Sequence, residues 1–188
     1  KYKIFQMLSN SIANKGFEFD HIGEYDSAIN SYKKSILIDK KINNDQGLIT
    51  SYSNIGLTSY NLGKVDTAIY YLELSLSIAE KNNNIEGVAI ASNNLGTIYS
   101  STGNLALALE YYQKSLVISE KNNDLESLAT DYNNIALVYD KLNRIEKAIE
   151  YLKKSIEIRV ELSNELEARA SYANLSAFYL DLGQQNIA

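Results

Sequence analysis

Five asparagines recur every 40 residues without exception: Asn14, Asn54, Asn94, Asn134 and Asn174. A primary amide is donor and acceptor at once, so a ladder of them can bridge the N–H and C=O of an extended peptide backbone without reading its side chains. If successive rungs lie ~10 Å apart, each meets about every third residue of a strand rising ~3.3 Å per residue. The other reactive side chain is the single histidine, His21, beside Asp20 and close to Glu18. Catalysis needs a base, nucleophile or second carboxylate oriented in a pocket, and these three lie in a tract of helical periodicity with no orienting partner. The sequence has no Gly-rich phosphate loop, His-rich metal spacing or paired-acid motif, and no cysteine to serve as thiolate ligand or nucleophile. The residues therefore predict recognition by hydrogen bonding, with no enzyme, no metal and no cofactor.

The elements that must position the ladder follow from the same register. Gly16, Gly56 and Gly96 are continued by Ala136 and Ser176; seven residues on come Gly23, Gly63, Gly103, Asn143 and Gly183, and five further on Ala28, Ala68, Ala108, Ala148 and Ala188. A period of this length means one supersecondary element per repeat, stacked on its neighbours. Ser51 to Leu62 and Thr67 to Ala79 both carry apolar residues at helical spacing, which predicts two helices per repeat. Gly63 is placed to end the first helix in a left-handed conformation, and Asp26 and Asp66 to cap or charge the next helix start. Asn43-Asn44-Asp45, Asn82-Asn83-Asn84, Asn122-Asn123-Asp124 and Ser163-Asn164-Glu165 read as punctuation between repeats, since asparagine tolerates left-handed backbone angles and caps helices. Small residues such as Gly56 and Ala68 let the helices of one repeat approach, and Leu72, Leu76 and Tyr99 fill the space between repeats. Tyr32, Tyr99, Tyr112, Tyr139 and Tyr179 are assigned to that packing. The lysine pairs Lys33-Lys34 and Lys153-Lys154 are assigned to a solvated face.

The 188 residues contain no proline and no Gly/Ser-rich stretch, so no linker interrupts the repeats, and a single array over 1–188 is expected, with repeats near 9–47, 48–87, 88–127, 128–167 and a partial 168–188. The net charge of -5, with acids and bases interspersed, offers no basic footprint for nucleic acid or an anionic membrane. No apolar run approaches the ~18 residues that span a bilayer, and Lys1 to Leu8 lacks a signal-peptide plan. Cytoplasm is the expected compartment, with a periplasmic sensor segment as the alternative. Ala188 falls where earlier repeats are early in a helix, which suggests a piece of a longer polypeptide.

Tyr132-Asn133-Asn134-Ile135-Ala136 with Tyr139, Ala148, Tyr151-Leu152 and Ser155-Ile156 resembles the tetratricopeptide repeat, and so does Asn93-Asn94-Leu95-Gly96 with Tyr99, Gly103, Ala108, Tyr111-Tyr112 and Ser115-Leu116. The resemblance covers the whole chain as four repeats and the front half of a fifth. It implies an all-α fold, a right-handed α-solenoid of helix-turn-helix repeats whose first helices line a concave groove for a protein or peptide partner. Two features depart from the family pattern. The period is 40 in place of 34, with no proline, which predicts a longer second helix or following loop, as in kinesin light chains, spindle-regulator-binding polarity proteins, bacterial pheromone receptors and repeat-bearing sensor kinases. Ser59 stands where other repeats have Phe19, Tyr99, Tyr139 and Tyr179, and Tyr60 is the expected substitute.

On the groove the resemblance places the five ladder asparagines. Beside them come Ser53, Asn93 and Asn133 one residue earlier, Phe17, Leu57, Thr97 and Leu137 three residues later, and Tyr60, Ser100, Asp140 and Lys141 near the helix ends. Two readings of the ladder stand: contact with a partner, or hydrogen bonding to a neighbouring helix. Chaperone-tail clamps of the family carry lysines four residues before the ladder; here those sites are Asn10, Thr50, Ile90, Thr130 and Ala170. A carboxylate clamp is disfavoured, and apolar anchoring at Ile90, Leu57 and Leu137 fits better. Three functions follow: a peptide-binding interaction module of a larger bacterial regulatory protein, a peptide-responsive receptor segment coupled to an output domain, or a scaffold that self-associates through its ends.

Overall fold

The computed structural model describes residues 2–185, and the expected repeat position at Ala188 lies outside them. Nine helices occur among the described residues: α1 (Tyr2–His21), α2 (Tyr25–Ile42), α3 (Asp45–Asn61), α4 (Val65–Lys81), α5 (Ile85–Ser101), α6 (Leu105–Asn122), α7 (Leu125–Lys141), α8 (Ile145–Glu161) and α9 (Glu165–Gln185). The chain divides into two compact units, Lys1–Ile98 and Tyr99–Ala188, with the division falling inside α5.

The turns are made as the sequence predicts. Within repeats, Gly63 has φ 73°, and Asn143 takes the same left-handed turn at φ 57° in the fourth repeat. Between repeats, Asn43, Asn83, Asn123 and Ser163 hold φ between 52° and 57°. The following helix begins two residues further on. Asn84 Oδ1 accepts from Gly87 N–H at 2.9 Å and Asp124 Oδ1 from Ser127 N–H at 3.1 Å, each satisfying a donor of the first turn. Asp26 and Asp66 lie in first turns without capping, so their part is charge at the positive helix end.

Three expectations are corrected. The extra residues of the 40-residue period are helical and enter no loop: α3 begins at Asp45, well before Ser51, and two residues separate it from α2. Gly183 ends nothing, because α9 runs through it to Gln185. Tyr60 does not replace the missing ring at Ser59. Tyr99 stacks on Tyr111 at 5.6 Å and Tyr139 on Tyr151 at 5.4 Å, but Tyr71 in the second repeat turns to Tyr52 at 5.9 Å and meets Tyr70 edge-on. Ser59 is buried, and its hydroxyl has no partner among the described residues.

In the first unit Ala28, Tyr32, Ile36, Leu48, Tyr52 and Ile55 form a core cluster. A Cβ on Gly56 would lie 2.7 Å from Leu72 Cγ and 3.1 Å from the Ala68 carbonyl, so glycine sets how closely α3 and α4 pack. In the second unit the core gathers Tyr112, Ile135, Val138, Tyr139, Ile149, Leu152 and Phe178, with Tyr99 packed at its edge. Phe178, at the register of Val138, is buried there, but Tyr179, which was assigned to the packing, is 46% exposed. Of the two lysine pairs, Lys33 and Lys34 are exposed, whereas Lys154 lies 5.0 Å above the Tyr151 ring and 3.0 Å from Glu150, and Lys153 lies 5.6 Å above Tyr179.

Serine ties helices together both within and between repeats. Ser35, Ser75, Ser115 and Ser155 recur on the second helices with the 40-residue period and are all buried. Ser75 donates to the Ile49 carbonyl at 2.9 Å, and Ser115 donates to Asp131 at 3.1 Å.

Candidate functional site

The ladder asparagines all lie on first helices. Asn14, Asn54 and Asn94 sit on α1, α3 and α5 in the first unit, and Asn134 and Asn174 on α7 and α9 in the second. Each precedes by two residues the small residue of its repeat, which is buried at Gly16, Gly56, Gly96 and Ala136 and exposed at Ser176. Asn14 is exposed and the other four are half-buried. None of the five side-chain amides hydrogen-bonds another group among the described residues. The polar atoms of Asn54, Asn94, Asn134 and Asn174 are thus held in place by packing, with their donors and acceptors directed to no protein partner.

The flanking positions divide. Phe17, Thr97 and Ile90 are exposed, while Leu57, Tyr60, Asn93 and Asn133 are half-buried. Leu137 packs partly against the core of its unit. Ser53 does not belong to the surface: it is buried and its hydroxyl pairs with Ser75 at 2.9 Å. Lys141 and Ser100 engage each other, the ammonium donating to the Ser100 carbonyl at 2.8 Å and its hydroxyl at 3.1 Å, which ties α7 to the end of α5. Burial, with the Asp181 carboxylate adding to it, raises the Asp140 carboxyl above the usual range.

His21 is exposed in the last turn of α1 and stacks on Phe17 at 5.6 Å, and Asp20 Oδ1 is buried with no hydrogen-bond partner. No group of three or more His, Asp or Glu side chains that could hold a metal occurs among the described residues. No helix among them is long and apolar enough to cross a membrane.

The residues that sequence reasoning missed are polar and buried. Asp39 and Asp131 are fully buried, as is Ser171. Arg159 is nearly so, and its guanidinium donates to the Ser171 hydroxyl and pairs with Glu167 at 3.3 Å. Their signal was in the register, since Asp39 and Arg159 hold the same repeat position, as do Ser51, Asp131 and Ser171.

Solved structures share this fold. BtubC (BKLC) from P. vanneervenii superposes with a TM-score of 0.87 at 22% identity, over 95% of this chain and 74% of that one. A signal-transduction ATPase with numerous domains and a tetratricopeptide repeat sensor, from Pyrococcus horikoshii, gives 0.78 at 23% identity over 96% of this chain and 27% of that one. Aspartyl phosphate phosphatase F from Bacillus subtilis gives 0.81 at 18% identity, covering 96% and 50%. The chain thus spans about half the length of the phosphatase and about a quarter of the ATPase. No curated protein sequence matches. Family models described as tetratricopeptide repeat match residues 9–42, 48–86 and 87–161. With its helix pairs, left-handed turns and small-residue contacts all in one register, the chain belongs to the tetratricopeptide repeat family as an all-α helix-turn-helix solenoid.

Proposed function

We propose that the chain is a peptide-binding interaction module, in which the ladder amides of each unit take hold of the backbone of a partner polypeptide. The repeats are of the protein-interaction type, and the observation that carries the finer reading is the state of the ladder. Had these asparagines served to bind a neighbouring helix, their amides would be paired within the protein, and none is paired among the described residues. A half-buried amide that makes no internal hydrogen bond gains most from a partner that supplies both a donor and an acceptor, as a peptide backbone does. Exposed Ile90 and Phe17, with half-buried Leu57, supply apolar contacts beside it.

The test is capture from the source lysate, or binding to a peptide array, by the wild type and by Asn54→Ala/Asn94→Ala/Asn134→Ala, after both are shown to be equally helical. Partners held by the wild type and lost by the triple variant support the reading, and equal capture by both overturns it. A second reading, that the segment senses a peptide on behalf of an output domain, draws on the Pyrococcus horikoshii ATPase, whose repeats are described as a sensor. It predicts that peptide binding alters the activity of a domain joined to these repeats.

A further inference from the structure

The second helix of the first repeat carries a charge pattern that the other repeats lack. In α2 the residues Ala28, Ser31, Tyr32, Ser35, Ile36 and Asp39 form the buried stripe. On the opposite side Lys33, Lys34, Leu37, Lys40 and Lys41 are all exposed, Leu37 at 62%. At about 3.6 residues per turn these positions share one face, with Lys33 and Lys40 on one flank of Leu37 and Lys34 and Lys41 on the other. The ammonium groups thus surround one leucine within about 12 Å of helix. None of these lysines makes an ion pair among the described residues, and Lys40 lies 6.0 Å from the centre of the Tyr52 ring. The exposed acids nearest in sequence, Asp26 in the first turn of α2 and Asp45 in the first turn of α3, stand beyond the two ends of the patch.

The repeat register supplies the comparison. The same positions hold Glu73 and Glu80 in α4, Glu120 in α6, and Glu157 and Glu161 in α8. Each of those helices mixes acid with base on this face, as solvated surfaces do, and α2 places no acid there. Attraction to the negative end of a helix accounts for Lys40 and Lys41 in the last turn, but it falls off within that turn and leaves Lys33 and Lys34 unexplained. In a chain of net charge -5 the patch is a local reversal of sign. We propose that this face of α2 is a docking surface for an acidic helix of a partner protein, whose apolar residue covers Leu37 and whose carboxylates pair with the lysines on either side. Charge pairs flanking an apolar seam are how side-by-side helices select one another. A single leucine offers too little apolar area to hold a lipid surface, and a duplex demands a longer row of phosphate contacts than one short face supplies. The surface shares no residue with the asparagine ladder and stands apart from the peptide-binding reading.

The probe is a fluorescein-labelled helical peptide of alanine and glutamate whose glutamates flank a central leucine, followed by anisotropy at physiological ionic strength. Its controls are a Glu→Gln copy and a Leu→Ser copy. Saturable binding of the probe is expected, lost in the glutamine copy and weakened about threefold or more in the serine copy. Lys33→Glu/Lys34→Glu, with helicity shown intact by circular dichroism, is expected to weaken binding at least about tenfold, and Leu37→Ser about threefold or more. Lys121→Glu, the same kind of change on α6, is expected to leave it unaltered. Undiminished binding by the folded double variant, equal binding of the glutamine copy, no effect of Leu37→Ser, or an equal loss in Lys121→Glu overturns the site. Tighter saturable binding to phosphatidylserine vesicles or duplex DNA, or a dimer of the chain abolished by Lys33→Glu/Lys34→Glu, would give the face another occupant and overturn the acidic helix. All these variants leave the ladder asparagines in place, so the outcome bears on this face alone.

Discussion

The Ser155 hydroxyl donates to the Ala129 carbonyl at 2.7 Å, joining the second helix of one repeat to its first from a position with no solvent exposure. Ser155→Ala removes that bond at little change in volume and is expected to cost about 1 kcal/mol, read as a lower urea midpoint with an unchanged slope. Ser155→Val adds bulk where there is no room and is expected to cost more, about 1–3 kcal/mol.

The contact of Gly56 with Leu72 gives a coupled pair. Gly56→Ala places a methyl 2.7 Å from Leu72 Cγ and is expected to destabilise by about 1–3 kcal/mol despite alanine's better helix propensity. Leu72→Ala opens a cavity at a cost of about 2–5 kcal/mol. In the double variant the new methyl occupies part of that cavity, so the combined loss in thermal unfolding is smaller than the sum. Additive losses would show that the two side chains do not meet.

Burial, reinforced by the Asp20 carboxylate, pushes the Tyr32 phenol from its ordinary 10.0 up to about 12. The folded chain therefore favours the neutral phenol. Its contribution is whole below pH 10 and is lost as pH rises from about 10 to about 12, on the order of 2–3 kcal/mol. Melting curves across that range, followed beside phenolate absorbance, should show Tyr32→Phe losing less stability with pH than the wild type. Parallel losses in both would assign the alkaline transition to other groups.

Asn143 occupies a left-handed turn that glycine fills in the three preceding repeats. Asn143→Gly keeps the left-handed backbone without strain and is expected to cost less than Asn143→Val. Asn143→Val puts a β-branched residue at φ 57° and is expected to cost about 1–3 kcal/mol. Differential scanning calorimetry of the two variants checks the sign.

The repeat register, the left-handed turns at Gly63, Asn43 and Asn123 and the close approach at Gly56 were legible in the sequence because each depends on one residue type whose backbone or size is exceptional. The start of α3 was not, since Asp45 to Thr50 follows the asparagine pair Asn43-Asn44 and shows only a weak apolar pattern, and helix starts are set by caps and packing as much as by propensity. For Ser53 and Asp39 the register marks a repeat position but not its burial. A serine or aspartate reads as surface unless its partners are known, and here the partner of Ser53 lies 22 residues away on the next helix, while those of Asp39 lie one turn back on its own helix and across the turn that follows. The ladder was found by its period alone, and its amides' lack of internal partners needed coordinates.

The joints between repeats carry different buried residues at one register, three polar and one apolar: Asp39 with Ser51 nearby, Ala79 followed by Ala91, Ser119 bonded to Asp131 at 2.8 Å, and Arg159 bonded to Ser171. Near-identical modules joined in series are prone to pairing out of turn as they fold. Seating α2 on α7 would bury Asp39 against Asp131, two like charges, and seating α8 on α5 would leave the Arg159 guanidinium facing the methyl of Ala91. A joint made out of turn would thus bury a like-charge pair or leave a guanidinium without its hydroxyl, costs that the native order of repeats avoids.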